Sequence, residues 1–117
     1  MAQRDVYSDV CPSRVLLDLL ANKWSAMAIG LLEGGPVRFG ELRSEMAGVS
    51  PKMLTRTLRR LESAQLVIRT IYPEVPPRVE YALTDLGFSA AYPLRLMCRW
   101  AEDHVDRIDA LNREWAG

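Results

Sequence analysis

The sequence has few of the side chains that bind metals or form disulfides. Its 117 residues include two cysteines, Cys11 and Cys98, and one histidine, His104. Two cysteines are too few for a disulfide framework, and with a single histidine they are too few for a metal site of ordinary composition. We therefore expect neither a structural metal nor a cofactor.

The sequence also lacks a long hydrophobic run and a catalytic motif. No apolar segment approaches the ~20 residues that span a bilayer, and the N-terminal stretch MAQRDVYSD is polar where a signal peptide would be basic and then apolar. The segment 33–36, EGGP, lacks phosphate-loop spacing, and serine, histidine and aspartate form no catalytic pattern. The sequence predicts a cytoplasmic protein that is not an enzyme and has no membrane partner.

The net charge is zero, which by itself argues against a nucleic-acid partner. The charges are nevertheless segregated along the chain. The segment from Arg38 to Arg78 contains eight basic and four acidic residues, whereas the remainder contains seven basic and eleven acidic residues. A neutral chain with this distribution can present a basic central surface between acidic ends.

The segment SPKMLTRTLRRLESAQ, residues 50–65, predicts an amphipathic helix within that basic region. Leu54, Leu58 and Leu61 share one face at helical spacing, which should pack into the protein. Ser50 can cap the helix, and Pro51 suits the first turn because no backbone donor is needed there. The opposite face carries Lys52, Arg56, Arg59 and Ser63, with Arg60 at its edge.

The flanking segments predict a mainly α protein with a small β-hairpin. We expect a first helix capped by Ser13, a second beginning at about Asn22, and a compact third helix from Gly40 to Met46. Period-two alternation predicts strands at 66–72 and 78–83, joined by a proline-rich tip. The second helix should face inward through Trp24, Met27, Ala28, Leu31 and Leu32.

The last helical region should begin at the cap Thr84 and be kinked by Pro93. Its apolar stripe runs from Leu86 to Trp115. Such a stripe is longer than one small domain can cover, so together with the first helix it predicts a two-fold homodimer interface. We expect residues 1–10 to form a mobile arm and residues 11–117 a single domain that dimerises through its first helix and the region 85–116.

Several strings make the chain similar to the HxlR-type bacterial transcriptional regulators. They are CP at 11–12, KW at 23–24, RFGEL at 38–42, VSPKMLTRTLRRLE at 49–62 and YPEVPPRVEYALTDLG at 72–87. Trp100 and His104 also sit where that family often has a tryptophan followed by a histidine. The resemblance covers roughly residues 9–104, and it implies a MarR-like winged helix-turn-helix with N- and C-terminal dimerisation helices.

The resemblance implies a DNA surface built on the basic helix and the hairpin wing. Arginines of such a helix can pair with guanine in the major groove, while other basic contacts neutralise phosphates and the wing reaches the flanking backbone or minor groove. Alternatively, the basic face is solvated and paired with nearby carboxylates, and the wing only closes the hairpin. The candidate DNA contacts are Arg38, Ser50, Lys52, Thr55, Arg56, Arg59, Arg60, Arg69 and Arg78.

Some members of this family sense electrophiles or oxidants through an N-terminal cysteine that matches Cys11. The competing interpretation is an inert, packed thiol. A further set of largely apolar residues has two possible roles: it lines a small-molecule effector pocket, or it forms part of the dimer interface. These residues are Trp24, Leu94, Met97, Trp100 and His104.

The predicted function is a homodimeric, sequence-specific transcriptional regulator that binds a pseudo-palindromic double-stranded DNA operator and responds to a redox signal or small effector. The alternatives are a winged-helix protein-interaction module without sequence-specific DNA binding, and a small-molecule-binding or catalytic bundle that uses the aromatic core.

Two positions depart from the family pattern, which commonly has glycine before KW and before the first wing strand. Here those positions are Asn22 and Gln65. Asparagine tolerates a left-handed backbone conformation, whereas glutamine adopts it less readily. We therefore expect either local strain at Gln65 or a different helix end.

Overall fold

The structure is a computed structural model that describes residues 4–108. These residues form α1 (Pro12–Ala21), α2 (Lys23–Leu32), β1 (Val37–Arg38), α3 (Phe39–Glu45), α4 (Pro51–Ser63), β2 (Val67–Tyr72), β3 (Arg78–Leu83) and α5 (Asp85–His104), followed by a short 3₁₀ helix, Val105–Ile108. The order agrees with the predicted winged helix-turn-helix. The end of the predicted apolar stripe, from Leu111 to Trp115, lies outside the described residues.

The first two helices begin at different kinds of cap. The Asn22 side-chain oxygen accepts bonds from the backbone N–H groups of Trp24 and Ser25, at 2.9 and 3.4 Å, and so starts α2 as predicted. The prediction that Ser13 caps α1 is wrong, because Cys11 occupies the cap position and Pro12 the first turn. Proline suits that turn since it has no N–H to leave unsatisfied.

The inward face of α2 is narrower than the sequence predicts. Ala28 and Leu32 are buried, and Trp24 and Leu31 pack partly buried against the core. The prediction that Met27 faces inward is wrong, because 46% of this residue is exposed. Because α2 packs mainly on α5, α1 and α4, one side of the helix has no neighbour among the described residues, and Met27 lies on that side.

The predicted hairpin is part of a three-stranded antiparallel sheet in the order β1-β3-β2. β2 and β3 pair along their whole length, from Val67 opposite Leu83 to Tyr72 opposite Arg78. β1 adds a third strand on the other side of β3, with Val37 opposite Tyr81. The sheet therefore hydrogen-bonds the strand that precedes α3 to the hairpin that follows α4.

Thr84 joins the sheet to α5. Its hydroxyl donates to the Gln65 carbonyl at 2.7 Å and accepts from the Gly87 N–H at 3.0 Å, so the predicted cap is confirmed. A Cβ at Gly87 would overlap the Leu66 carbonyl oxygen, which explains why this position needs glycine. The α-helix then continues through Pro93 as one element.

The core lies where α2, α4 and the sheet meet. Its fully buried side chains include Ile29, Leu32, Leu42, Leu54, Leu58, Leu61 and Leu66. Within residues 4–108 no single helix is long and apolar enough to cross a membrane; only α1 and α2 taken together reach that length and composition, and they are bent by 76°.

Candidate nucleic-acid interface

Helix α4 has the two faces that its sequence predicts. Leu54, Leu58 and Leu61 are at most 1% exposed, whereas the basic side chains of the helix are exposed. The Ser50 hydroxyl accepts a bond from the Met53 N–H at 3.0 Å, which confirms the predicted cap. Burial of the leucines therefore fixes which side of α4 remains accessible.

The exposed side of α4 carries four cations, Lys52, Arg56, Arg59 and Arg60, which we call the basic face. Thr55 lies beside them and is partly buried. No carboxylate of residues 4–108 lies within 4.0 Å of these four side chains, since the ion pairs of this part of the chain involve other residues. The prediction's alternative, a face neutralised by nearby carboxylates, is thus not what the described residues form.

A tight turn sets the direction in which α4 leaves α3. The Met46 N–H donates to the Leu42 carbonyl at the end of α3, and the Val49 N–H donates to the Met46 carbonyl at 3.1 Å. Gly48 between them has a φ of +89°, a conformation that side chains other than glycine rarely adopt. Two helices joined by a short glycine-containing turn are the helix-turn-helix unit, with α4 in the recognition position.

The end of α4 resolves the question about Gln65. The N–H groups of Leu66 and Gln65 donate to the carbonyls of Leu61 and Glu62, each at 3.0 Å, and Gln65 has a φ of +63°. This bond pattern is a Schellman C-cap, in which the left-handed position normally holds glycine. The expected strain at Gln65 is therefore present, since a left-handed conformation costs a residue with a Cβ about 1–2 kcal/mol.

The two candidate arginines of the wing have ion-pair partners. Arg69 lies 3.6 Å from a Glu62 carboxylate oxygen. Arg78 lies 3.2 Å from Glu74 and 3.5 Å from Glu80, and its guanidinium stacks on the ring of Tyr72 at 4.0 Å. Its Nε is buried without a hydrogen-bond partner among the described residues. These carboxylates and the tyrosine hold Arg78 against the hairpin.

Arg38 lies at the start of α3, where it is both the second residue of β1 and the cap position of the helix. Its side chain is exposed, and no carboxylate among residues 4–108 lies within 4.0 Å of it. Arg38 therefore resembles the α4 cations in its availability, although it lies on a different element.

Cys11 is buried at the start of α1, with 6% of the residue exposed. Its sulfur lies 2.9 Å from the Ser13 hydroxyl and accepts the Asp5 N–H at 3.2 Å. These hydrogen bonds, that from Ser13 first, lower the pKa of the Cys11 thiol because they stabilise its thiolate form. Cys98 is exposed on α5.

A family model described as HxlR-like helix-turn-helix matches residues 19–109, which include the helix-turn-helix, the wing and all of α5. The chain belongs to the HxlR-like helix-turn-helix family. The resemblance drawn from the sequence strings is confirmed.

The chain is similar in sequence to curated transcriptional regulators and in fold to solved ones. An uncharacterized HTH-type transcriptional regulator of Synechocystis sp. is 46% identical over 98 residues, which cover 84% of this chain and 73% of the relative. The solved structure of the transcriptional regulator ytfH from Salmonella typhimurium superposes with a TM-score of 0.88 at 34% identity, covering 95% of this chain and 99% of that one. The redox regulator HypR in its oxidized form gives a TM-score of 0.73 at 35% identity, covering 80% and 96%.

The apolar set predicted for this HxlR-like chain, as effector pocket or dimer interface, contains both buried and exposed residues. Leu94 is in the core, and Trp24 is partly buried at the start of α2 under the Lys23 amine. Met97 and Trp100 are each 62% exposed on α5, and the Trp100 ring stacks on His104 with 4.6 Å between ring centroids. These exposed residues fit a contact surface better than an enclosed pocket within one protomer.

Sequence reasoning did not identify the groove that this HxlR-like chain forms between α1 and α4. One wall is the basic face of α4 with Thr55, and the other is the apolar face of α1 that includes Val15 and Leu16. The basic face of α4 was recognised from its periodicity alone. The juxtaposition of the two walls depends on tertiary packing, which no local pattern in either segment reports.

Proposed function

We propose that this chain is a transcriptional regulator that binds a pseudo-palindromic DNA operator as a homodimer, with α4 in the major groove. The single observation that supports it most is the basic face of α4, four exposed cations without a carboxylate of residues 4–108 within ion-pair distance. Cations that are not already paired can neutralise phosphates or bind guanine without first losing an intramolecular partner. Family membership supports the same conclusion.

Contacts outside the basic face would fix the position of α4 on the duplex. Ser50 and Thr55 can donate hydroxyl bonds to base edges or phosphates, and Arg38 can bind phosphate from the start of α3. Arg69 and Arg78 would reach the flanking backbone or minor groove only by exchanging carboxylate partners for phosphate. We therefore assign the wing a smaller share of the affinity than α4.

The proposed dimer uses the exposed apolar surface of α5 and one side of α1. Phe88, Tyr92 and Trp100 are 48%, 59% and 62% exposed, and Leu17 of α1 is 52% exposed. Large apolar side chains clustered along one helix at these exposures are typical of a protein interface. A two-fold arrangement would place the two α4 helices about one DNA turn, ~34 Å, apart, or a multiple of that distance.

The proposal is tested by selecting binding sites from a randomised DNA pool and measuring affinity for the selected duplex by fluorescence anisotropy. We expect the Lys52→Ala/Arg56→Ala variant to lose at least tenfold in affinity. The matched control Arg14→Ala/Arg107→Ala removes the same charge from exposed positions outside α4 and should stay within about threefold. Failure to enrich any sequence, together with capture of an acidic protein by the basic face, would instead establish the protein-interaction alternative.

A redox signal at Cys11 is the second part of the proposal. Support comes from the lowered pKa of its thiol and from the similarity to HypR, described as a redox regulator. The Cys11 thiolate would attack a peroxide, giving a sulfenic acid and an alcohol or water. We expect hydrogen peroxide to weaken operator binding of the Cys98→Ser variant and to leave binding of Cys11→Ser unchanged. Loss of binding by both variants would remove Cys11 as the sensor.

A further inference from the structure

The groove between α1 and α4 has two walls of opposite chemistry. Its volume is about 840 Å³, within the range of small-molecule sites in proteins. The residues that line it are Pro12, Val15, Leu16 and Leu19 of α1 and, from α4 with its C-cap Ala64, Pro51, Lys52, Thr55, Arg56, Arg59, Arg60, Ser63 and Ala64. The first set is entirely apolar, whereas the second contains every cation of the basic face.

The charge in the groove has one sign. None of the lining residues is acidic, and the two charged residues of α1, Arg14 and Asp18, are outside the lining. Four positive charges on one helix face repel one another when no anion lies between them. An anionic group in the groove would relieve that repulsion and could accept a bidentate bond from an arginine.

The apolar wall is unusually exposed for the inner side of a groove. Leu19 forms a buried floor, but Val15 and Leu16 are 68% and 42% exposed. Leu17, which belongs to the proposed dimer surface, is not among the lining residues. Along one helix, Val15 and Leu16 therefore face the groove while Leu17 points elsewhere, as the helical rotation of about 100° per residue requires.

We propose that this groove binds a small amphipathic carboxylate, with its hydrocarbon body on α1 and its carboxylate on the arginines of α4. Burial of the hydrocarbon against α1 favours binding in proportion to the apolar area removed from water, and the carboxylate pairs with Arg56, Arg59 or Arg60. The same cations are the candidate DNA contacts. Ligand and operator therefore compete, which makes the carboxylate an inducer; this last step rests on the proposed function.

Three probes separate the two walls: octanoate, which has both a tail and a charge; octanamide, which has the tail alone; and acetate, which has the charge alone. Binding to the full-length protein without DNA is followed by calorimetry, and the bound position by amide chemical shifts. We expect saturable binding of octanoate with shifts in α1 and α4, and binding at least tenfold weaker for the other two. Equal affinity for octanoate and octanamide would overturn the role of the arginines.

A matched pair of variants locates the site on α1. Leu16→Asn should weaken octanoate binding at least fivefold, because it places an amide on the apolar wall. Leu17→Asn makes the same change one residue away and should stay within twofold, since the groove lies within one protomer. Equal effects of the two substitutions would place the ligand elsewhere and overturn the assignment.

Sedimentation distinguishes the ligand from a second copy of the chain. If the groove is instead filled by a partner protomer, Leu16→Asn will convert the dimer to a monomer, and the ligand assignment fails. If the groove is a ligand site, the dimer mass of Leu16→Asn stays unchanged.

Competition with the selected operator tests the regulatory step separately. Octanoate at saturation should weaken DNA binding at least tenfold, and Leu16→Asn should remove this effect while retaining DNA binding. Octanoate binding without competition would overturn the inducer role. Intact DNA binding with no octanoate binding would overturn the groove site alone, whereas octanoate binding by a protein that binds no DNA would overturn the proposed function and leave the site.

Discussion

The arginines of α4 and those of the wing differ in what surrounds them, although both sets lie in the same basic segment of the chain. Arg56, Arg59 and Arg60 have no carboxylate of residues 4–108 within 4.0 Å. Arg69 and Arg78 are paired with glutamates, and Arg78 also stacks on Tyr72. A count of basic residues treats the two sets alike, but only the first is available to an anion without losing existing contacts.

The difference assigns separate roles to the two elements. The wing arginines offset carboxylates that would otherwise repel DNA, and they hold the hairpin in shape. In the proposed complex, the basic face of α4 would supply the positive charge that meets DNA.

Salt should have the largest effect on operator affinity. If about four phosphates are neutralised per protomer, log K falls with log salt at a slope of about −7, so that affinity drops about 10⁴-fold between ~50 and ~200 mM salt. Anisotropy titrations at several salt concentrations measure the slope. The Lys52→Ala/Arg56→Ala variant should make it shallower, whereas a slope near zero would contradict the assignment of phosphate contacts to α4.

The buried face of α4 should control stability. Leu58→Ala should reduce the free energy of unfolding by about 2–5 kcal/mol, because Leu58 is 1% exposed and its loss leaves a cavity. Urea denaturation followed by circular dichroism measures this change. Arg56→Ala on the opposite face is the control and should change stability by no more than about 0.5 kcal/mol; similar losses for both variants would show that the two faces are not separate in function.

Removing the paired arginines tests the comparison directly. We expect Arg69→Ala/Arg78→Ala to weaken operator binding about threefold, less than Lys52→Ala/Arg56→Ala. Removing an arginine that contacts a base costs about 1–3 kcal/mol of binding free energy, whereas removing one that is paired with carboxylates costs less. Anisotropy under identical salt conditions compares the two double variants. A wing variant that loses more affinity than the α4 variant would reverse the division of roles.

A comparably small effect, on stability, is expected at the junction between α4 and the wing. Gln65→Gly should raise the free energy of unfolding by about 0.5–1 kcal/mol, since it relieves the left-handed strain but increases the freedom of the unfolded chain. Gln65→Ala keeps the strain and provides the control. A destabilised glycine variant would mean that the glutamine side chain makes a stabilising contact that outweighs its backbone conformation.

Features fixed by short-range chemistry could be predicted from the sequence. The two faces of α4, the Ser50 and Thr84 caps and the unusual backbone at Gln65 each depend on residues within a few positions of one another. The cap of α1 was assigned wrongly because Ser13 is a residue type favoured at caps, whereas the helix begins at Pro12 and its cap position holds Cys11, which makes no side-chain cap bond. Local patterns were therefore reliable where a single residue could fill the position.

Features that join distant segments could not be read from local patterns. β1 pairs with β3 across more than 40 positions of sequence, and its two residues have no alternation of their own to reveal it. The ion pair between Arg69 of β2 and Glu62 of α4 also arises only when the elements pack, and so does the groove between α1 and α4. The candidate DNA residues were therefore named from the sequence, but their relative availability was not.

The Thr84 hydroxyl links the Gln65 carbonyl, just after α4, to the first turn of α5, so the end of α4 and the start of the proposed dimer helix are held together by one side chain. At Gly87, α5 lies directly against the Leu66 backbone, because glycine has no side chain to separate them. A rotation of α5 within a dimer would therefore also move the C-terminal end of α4. The spacing of the two recognition helices would then follow the packing of the C-terminal helices, and a signal that alters that packing could change which operators fit.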